Sequence, residues 1–238
     1  MLAHWRVSLV TVPLAVLTAM STLHGDANAV RMEPAVQRYL NRGVQRVTTY
    51  RAFRRLEAQG MGQQGWLEAW TELRGNRFSY DVTAEGGSEG VRGRVLRKVL
   101  ENEQQAWATG EVLQSELTEE NYEFERSPEQ PQGLVKVLMK PRRKGKLMLD
   151  GAMFLAREAA DLVRVEGRAV SNPSFWIKRV DIKKDYQRIV GCSVPVNVVS
   201  IANIRFAGKA TFRMSYQYAQ INGQSTLGTV GVIASTAR

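Results

Sequence analysis

The chain has 238 residues, with 33 lysines and arginines against 23 acids, and a formal charge of +10. Its one cysteine, Cys192, rules out an internal disulfide. The only histidines, His4 and His24, lie near the start, so Ser-His-Asp triads, Cys-His catalysis and histidine-bearing zinc sites are excluded for everything downstream.

The first residues point to a compartment. Arg6 leads into the apolar run VSLVTVPLAVLTAM, and a polar stretch then ends in Ala27-Asn28-Ala29. That order of basic, apolar and small-residue regions predicts a secretory signal over residues 1–29, cleaved after Ala29, and a periplasmic mature chain. The apolar run is short for a bilayer core and is interrupted by Pro13, which argues against an anchor. Arg6 and Asp26 leave together, so the mature charge stays at +10. A basic exported chain is drawn to polyanions, an anionic membrane surface among them. Cys192 reads as a small apolar residue of the interior.

One domain is predicted over residues 30–224, with 225–238 as a frayed tail. Pro34 suits the first turn of a helix in EPAVQRYLNRGVQRV, where Val36, Leu40, Val44 and Val47 recur at helical spacing. YRAFRRLEA reads as a strand in which Tyr50, Ala52, Leu56 and Ala58 share a side, while WLEAWTEL fits either period. RFSYDVTAEGG reads as a strand ending in glycines. EGVRGRVLRKVLENEQQAW reads as an amphipathic helix, with Val91, Val95, Val99 and Trp107 along one side and Leu96 and Leu100 beside them. From Asn121 onward, short β-prone runs alternate with turn residues, the pattern of an antiparallel sandwich or barrel. TFRMSYQYAQI is the clearest run. Phe212, Met214, Tyr216 and Tyr218 point one way, and Thr211, Arg213, Ser215 and Gln217 the other. Ala207-Gly208-Lys209 reads as the hairpin turn before it.

GMGQQG at 60–65 fits the dinucleotide pattern G-x-G-x-x-G, but the preceding YRAFRRLEA is too charged for a buried parallel strand. A glycine-rich turn between two strands is the better reading. Asp150, Asp161 and Glu166 are conceivable carboxylates for glycoside chemistry. Asp150 precedes Gly151 as in a turn and Asp161 starts a strand, so turn and surface roles are favoured. SFWIKRVDIKKDYQRI at 174–189 splits into two faces as a strand. Arg179, Asp181, Lys183 and Asp185 form a self-compensated wet row. Trp176, Lys178, Val180, Ile182, Lys184, Tyr186 and Arg188 share the other side. Three cations among apolar side chains predict the rim of an open cavity rather than a closed core.

LVKVLMKPRRKGKLMLDGAMFLAREAADLVRVEG, with Leu138 and Pro141, resembles the leucine–proline, strand–turn–strand segment of the periplasmic lipoprotein-carrier family, the LolA/LolB-like fold. WTELRGNRFSY resembles that family's tryptophan–arginine–proline–aromatic segment, with Trp70, Arg74, Phe78 and Tyr80 at matching positions and Gly75 in place of the proline. DLVRVEG (161–167), PSFW (173–176) and the run 211–218 are similar to stretches of exported outer-membrane lipoprotein-sorting proteins. The resemblance spans residues 33–222. It implies a mainly β fold: an open, incomplete antiparallel β-barrel of about ten strands, with two amphipathic helices covering its mouth. It also implies that Arg74 helps to hold a lid. The expected cavity lining or rim is Trp70, Arg74, Phe78, Tyr80, Trp176, Lys178, Val180, Ile182, Lys184, Phe212, Met214, Tyr216 and Tyr218.

The implied function is binding or carriage of lipoprotein acyl chains or another lipid by a monomer, with envelope proteins as donor or acceptor. No catalytic residue, metal or cofactor is expected. Each buried CH₂ contributes about 0.8 kcal/mol, so a long chain is held without covalent chemistry. An envelope-stress sensor or protein-interaction module on the same fold remains open, because fold does not fix function. A carboxylate-dependent envelope hydrolase is a weaker third reading. Nucleic acid is excluded by the compartment and by the lack of a binding motif.

Overall fold

The computed structural model describes residues 33–41, 46–171 and 177–226. The predicted signal, Trp176 and the tail beyond Thr226 lie outside them. Helix α1 (Pro34–Asn41) precedes three strands, β1 (Thr49–Gly60), β2 (Gln63–Arg74) and β3 (Arg77–Gly87). Helix α2 follows, as an α-turn Glu89–Val91, a π-helical segment Arg92–Arg97 and an α-helix Lys98–Ala108. The rest is β4 (Tyr122–Arg126), β5 (Leu134–Pro141), β6 (Leu149–Ala156), β7 (Leu162–Ala169), β8 (Ile177–Ile189), β9 (Cys192–Ile204), β10 (Gly208–Ile221) and β11 (Gln224–Ser225).

All the strands join one antiparallel sheet in the order β3-β2-β1-β10-β9-β8-β7-β6-β5-β4, with β11 on β10. The sheet is open, with eleven strands where about ten are expected. Its end strands β3 and β4 carry charges such as Asp81, Glu85, Glu123 and Glu125, which discourage further pairing. GMGQQG is the β1–β2 hairpin, turning at Met61-Gly62 with positive φ at both residues, as a tight two-residue loop requires.

Alternation divides the sheet into two faces. On β1, Tyr50, Ala52, Arg54, Leu56 and Ala58 are buried, and on β2, Leu67, Ala69, Thr71 and Leu73. WLEAWTEL is thus a strand, and its leucines take the inner face. The register sets Leu56 opposite both Leu67 and Met214, so inner positions line up from strand to strand. Helix α2 packs on one half of this face, where Val91, Leu96 and Leu100 join Leu56, Leu73 and Phe78 in a common core. Ala35 and Val36 of α1 join a second core with Val137, Met139, Met153 and Leu155. Val95 is 40% exposed rather than inward. A π-turn needs about five residues to return to the same side, so Leu96 takes the place expected of Val95.

The outer face is wet and paired. Arg179 meets Asp181 at 2.6 Å, and Asp185 meets Arg164 at 3.0 Å and Lys183 at 3.8 Å. This is the self-compensated row read from the sequence. Two local readings need correction. The β9–β10 turn is Arg205–Ala207, and Gly208 already belongs to β10. The tail does not begin to fray at 225: Ser225 pairs with Gln220, and Thr226 is buried with its hydroxyl donating to the Tyr218 carbonyl.

Gly151 and Gly167 face each other across β6 and β7, and here the backbones crowd. A Cβ on Gly151 would lie 2.2 Å from the Glu166 carbonyl oxygen, and one on Gly167 2.5 Å from that of Asp150. Backbone cannot move aside as a flexible side chain can. Gly151→Val is therefore expected to cost more than about 3 kcal/mol. Gly93→Ala, with nothing near its Cβ, is expected to be neutral or slightly stabilising in the same denaturant titration.

Candidate functional site

The two cores meet at β8, where Ile182 packs against both. On either side the inner face is sealed: Leu56, Leu67 and Leu73 are 0% exposed in one core, Met153 and Leu155 in the other. Between them Ile182, Lys184, Tyr186, Val196, Phe212 and Tyr216 remain half-buried. They are nonetheless deep, and burial pushes the Tyr186 and Tyr216 phenols well above their ordinary range. These side chains are deep in the fold but not sealed from solvent.

The registers map this strip. One row runs Val165, Lys184, Val198, Met214, Leu56 across β7, β8, β9, β10 and β1. The next runs Gly167, Ile182, Ser200, Phe212, Ala58 on the same strands. Three of these five side chains are small, so the second row is shallower than the first.

A charged cluster sits among the inner residues. Arg54 on β1 is 1% exposed. Its guanidinium donates to both oxygens of Glu103 on α2, at 2.6 and 3.0 Å, and to the Tyr50 hydroxyl. It also lies 4.4 Å from the Tyr216 ring centre and 5.2 Å from that of Phe78, within cation–π range. Burial works against its charge, but Glu103 and the oxygens of Tyr216 and Tyr50 outweigh this, and Arg54 stays a cation. Across the strip, burial holds the Lys184 ammonium below the ordinary lysine range, with Glu103 pulling the other way.

Of the residues expected to line a cavity, Phe78, Tyr80, Val180, Ile182, Lys184, Phe212, Met214, Tyr216 and Tyr218 take inner positions in the register. Trp70 and Arg74 do not. Inner places on β2 belong to Leu67, Ala69, Thr71 and Leu73, which turns Trp70 to the outer face. There it meets Phe53 edge-on at 5.4 Å and the Arg51 guanidinium at 4.5 Å. Arg74 is exposed and paired with Glu72 at 2.8 Å, so it holds no lid. Gly75 after it has φ +65°, which a proline, locked near −65°, could not adopt.

The three cations of β8 also separate. Irregularities between Ile177 and Arg179 and between Asp185 and Tyr186 break the alternation. Lys178 is left exposed, and Arg188 pairs with Asp161 at 2.8 Å. Lys184, between the two irregularities, keeps the inner position. Trp176 is outside the described residues. Asp150 and Glu166 are outward on β6 and β7, away from the strip.

Arg54, Glu103, Tyr50 and Tyr186 were not among the expected site residues. Arg54 occupies the middle of the inward series Tyr50, Ala52, Leu56, Ala58, and Glu103 follows Leu100 by three on the helix stripe. A charge inside each apolar pattern was the available signal. A separate recess of about 410 Å³ lies among Glu57, Gln64, Trp66, Thr211 and Arg213 on the outer side. Its carboxylate is engaged: Arg55 holds Glu57 at 2.7 Å and lies 4.8 Å from the Trp66 ring centre.

No family model matches the chain, and no curated protein does. Among solved structures, a DUF1329 family protein from Desulfovibrio piger is similar at 9% identity and a TM-score of 0.39, over 77% of this chain and 88% of that one. The functional reading therefore rests on the chain's own residues. Among these, no cluster of metal-binding side chains and no helix long and apolar enough to span a membrane occurs in the described part.

Removing one partner of a buried ion pair leaves the other charge stranded. Arg54→Met and Glu103→Leu are each expected to cost about 3–5 kcal/mol, and the double variant to regain much of that loss. Denaturant unfolding of the four proteins measures the coupling.

Proposed function

We propose that this protein is a binding or carrier protein for a lipid or acyl chain, held along the half-open strip by burial alone and without covalent chemistry. The observation that carries this reading is the strip itself. A sheet that merely stabilised itself would seal the centre of its inner face as it seals the two sides. Here aromatic and aliphatic side chains stay deep and incompletely covered at the place where two cores meet. Such a space, mostly apolar with a few polar groups, suits an apolar or amphiphilic ligand. In this reading α1 and α2 are covers, each packed on one half of the sheet. The likeness of segments 70–80 and 134–167 to the lipoprotein-carrier family supports the same reading. So does the export signal, which would place the protein where lipids and lipoproteins are moved between membranes.

Chemistry on the ligand is no part of the proposal. Asp161 is tied to Arg188, while Asp150 and Glu166 sit on the wet face. The charged cluster beneath α2 is an ion pair and a lysine, with no histidine beside it.

Ile182→Trp, which fills the centre of the strip, is expected to weaken binding of the neutral dye Nile red at least about tenfold, the scale of a few lost CH₂ contacts. Trp70→Ala on the outer face is expected to leave it unchanged. Equal binding by both variants and the wild type would place the dye elsewhere and remove this reading. Export makes a separate claim: the mature protein recovered from a producing cell is expected to begin at Val30, which N-terminal sequencing or intact mass reads directly.

A further inference from the structure

The inner face carries one cation too many. Among the described residues, Glu103 is already taken by Arg54, which reaches both of its oxygens, and by the Tyr50 hydroxyl at 3.5 Å. Glu85, at the other end of α2, is held by Arg92 at 2.6 Å and Arg97 at 2.8 Å. Lys184 has no hydrogen-bond or ion-pair partner among the described residues. It stands in a row of apolar side chains, between Val165 and Val198. It is half-buried, and the protein around it works against its charge.

An unpaired ammonium in such surroundings costs stability. Methionine or leucine would fill the position in keeping with Met214 and Leu56 along the same row. A cation that opposes folding on an incompletely covered face is what a site for an anion requires. The Lys184 row borders the shallow row of Gly167, Ile182, Ser200, Phe212 and Ala58, so a head at Lys184 would leave a chain lying along Ile182 and Phe212.

We propose that Lys184 is the anchor for the anionic head of a single-chain amphiphile, a carboxylate or a phosphate monoester, whose hydrocarbon chain lies on the strip beside it. This inference rests on the reading of the strip as a lipid site and adds the chemistry of the head. Arg54 is not the anchor, because Glu103 and Tyr50 already occupy its Nη donors. It sets the wall at the far side of the cluster.

The test is displacement of Nile red, which is neutral, by three competitors of matched chain: oleate, oleyl alcohol and oleoyl lysophosphatidate. The wild type is expected to prefer one or both acids over the alcohol by about tenfold, the scale of one charge-assisted contact. Lys184→Met is expected to lose that preference while binding the alcohol unchanged, and Lys184→Arg to retain it. A stronger effect of lysophosphatidate assigns a phosphate head, and of oleate a carboxylate; either upholds the anchor. Lys184→Met is also expected to melt at or above the wild-type temperature, since it removes a half-buried cation from an apolar row, so lost binding cannot be put down to misfolding. A wild type that treats acids and alcohol alike, or a Lys184→Met variant that still prefers acids, overturns the anchor and leaves the lipid site standing. Failure of the dye and all three competitors to bind the wild type overturns both.

Discussion

Helix α2 is held to the sheet by a guanidinium and a carboxylate that meet in the interior. Arg54 rises from the inner face of β1, and Glu103 descends from the helix one turn past Leu100. Both are long side chains, and their forked contact needs both of them extended. Apolar contacts at Val91, Leu96 and Leu100 hold the preceding part of the helix against the sheet. At the Glu103 level, the contact between helix and sheet is this ion pair. A pair of this kind adds little net stability compared with a well-packed apolar replacement. What it supplies is placement: a polar contact between helix and sheet inside the apolar core. Tyr50, Phe78 and Tyr216 pack around the Arg54 guanidinium.

The rest of the inner face follows from that contact. An open sheet of eleven strands presents more apolar surface than one helix can cover, and it divides its burial between two cores. The crowded Gly151–Gly167 pair lies on the side of the second core, close to the seam, where two strands approach without side chains between them. Where the cores meet, neither helix fills the gap, and Ile182, Tyr186, Phe212 and Tyr216 are left as walls. The same division explains why the outer face is a lattice of ion pairs and cation–π contacts. Its side chains have only water and each other, and Arg51, Arg55, Arg164 and Arg179 each find an aromatic ring or an acid within the sheet. In the proposed reading, the charge that meets a ligand is therefore not the overall excess of cations but Lys184 on the opposite face.

Much of this was legible residue by residue. The alternation of Phe212, Met214, Tyr216 and Tyr218 gave the inner face of β10 correctly, because a regular strand leaves no other choice. The acid–base row of β8 was equally plain. Other residues were misread for physical reasons. Trp70 looked like lining because large aromatics favour interiors, yet the neighbouring leucines had the stronger claim to the inner side and parity turned the indole outward. Val95 was displaced by a π-turn that no periodicity announces. Lys178 and Arg188 were grouped with Lys184 by strict alternation, and two irregularities in β8 undid the grouping.

The sequence by itself determined the antiparallel, mainly β character of the chain, the faces of its regular strands, and the exclusion of histidine chemistry downstream of His24. These are local properties, set by the two-residue period of a strand and by which side chains exist. Only the tertiary structure decided which charges are partnered. Arg54 and Glu103 lie 49 residues apart, and nothing short of the packed helix brings them together. Lys184 has no hydrogen-bond or ion-pair partner among the described residues for the same reason: the carboxylate that acts on it, Glu103, is already held by an arginine from another strand.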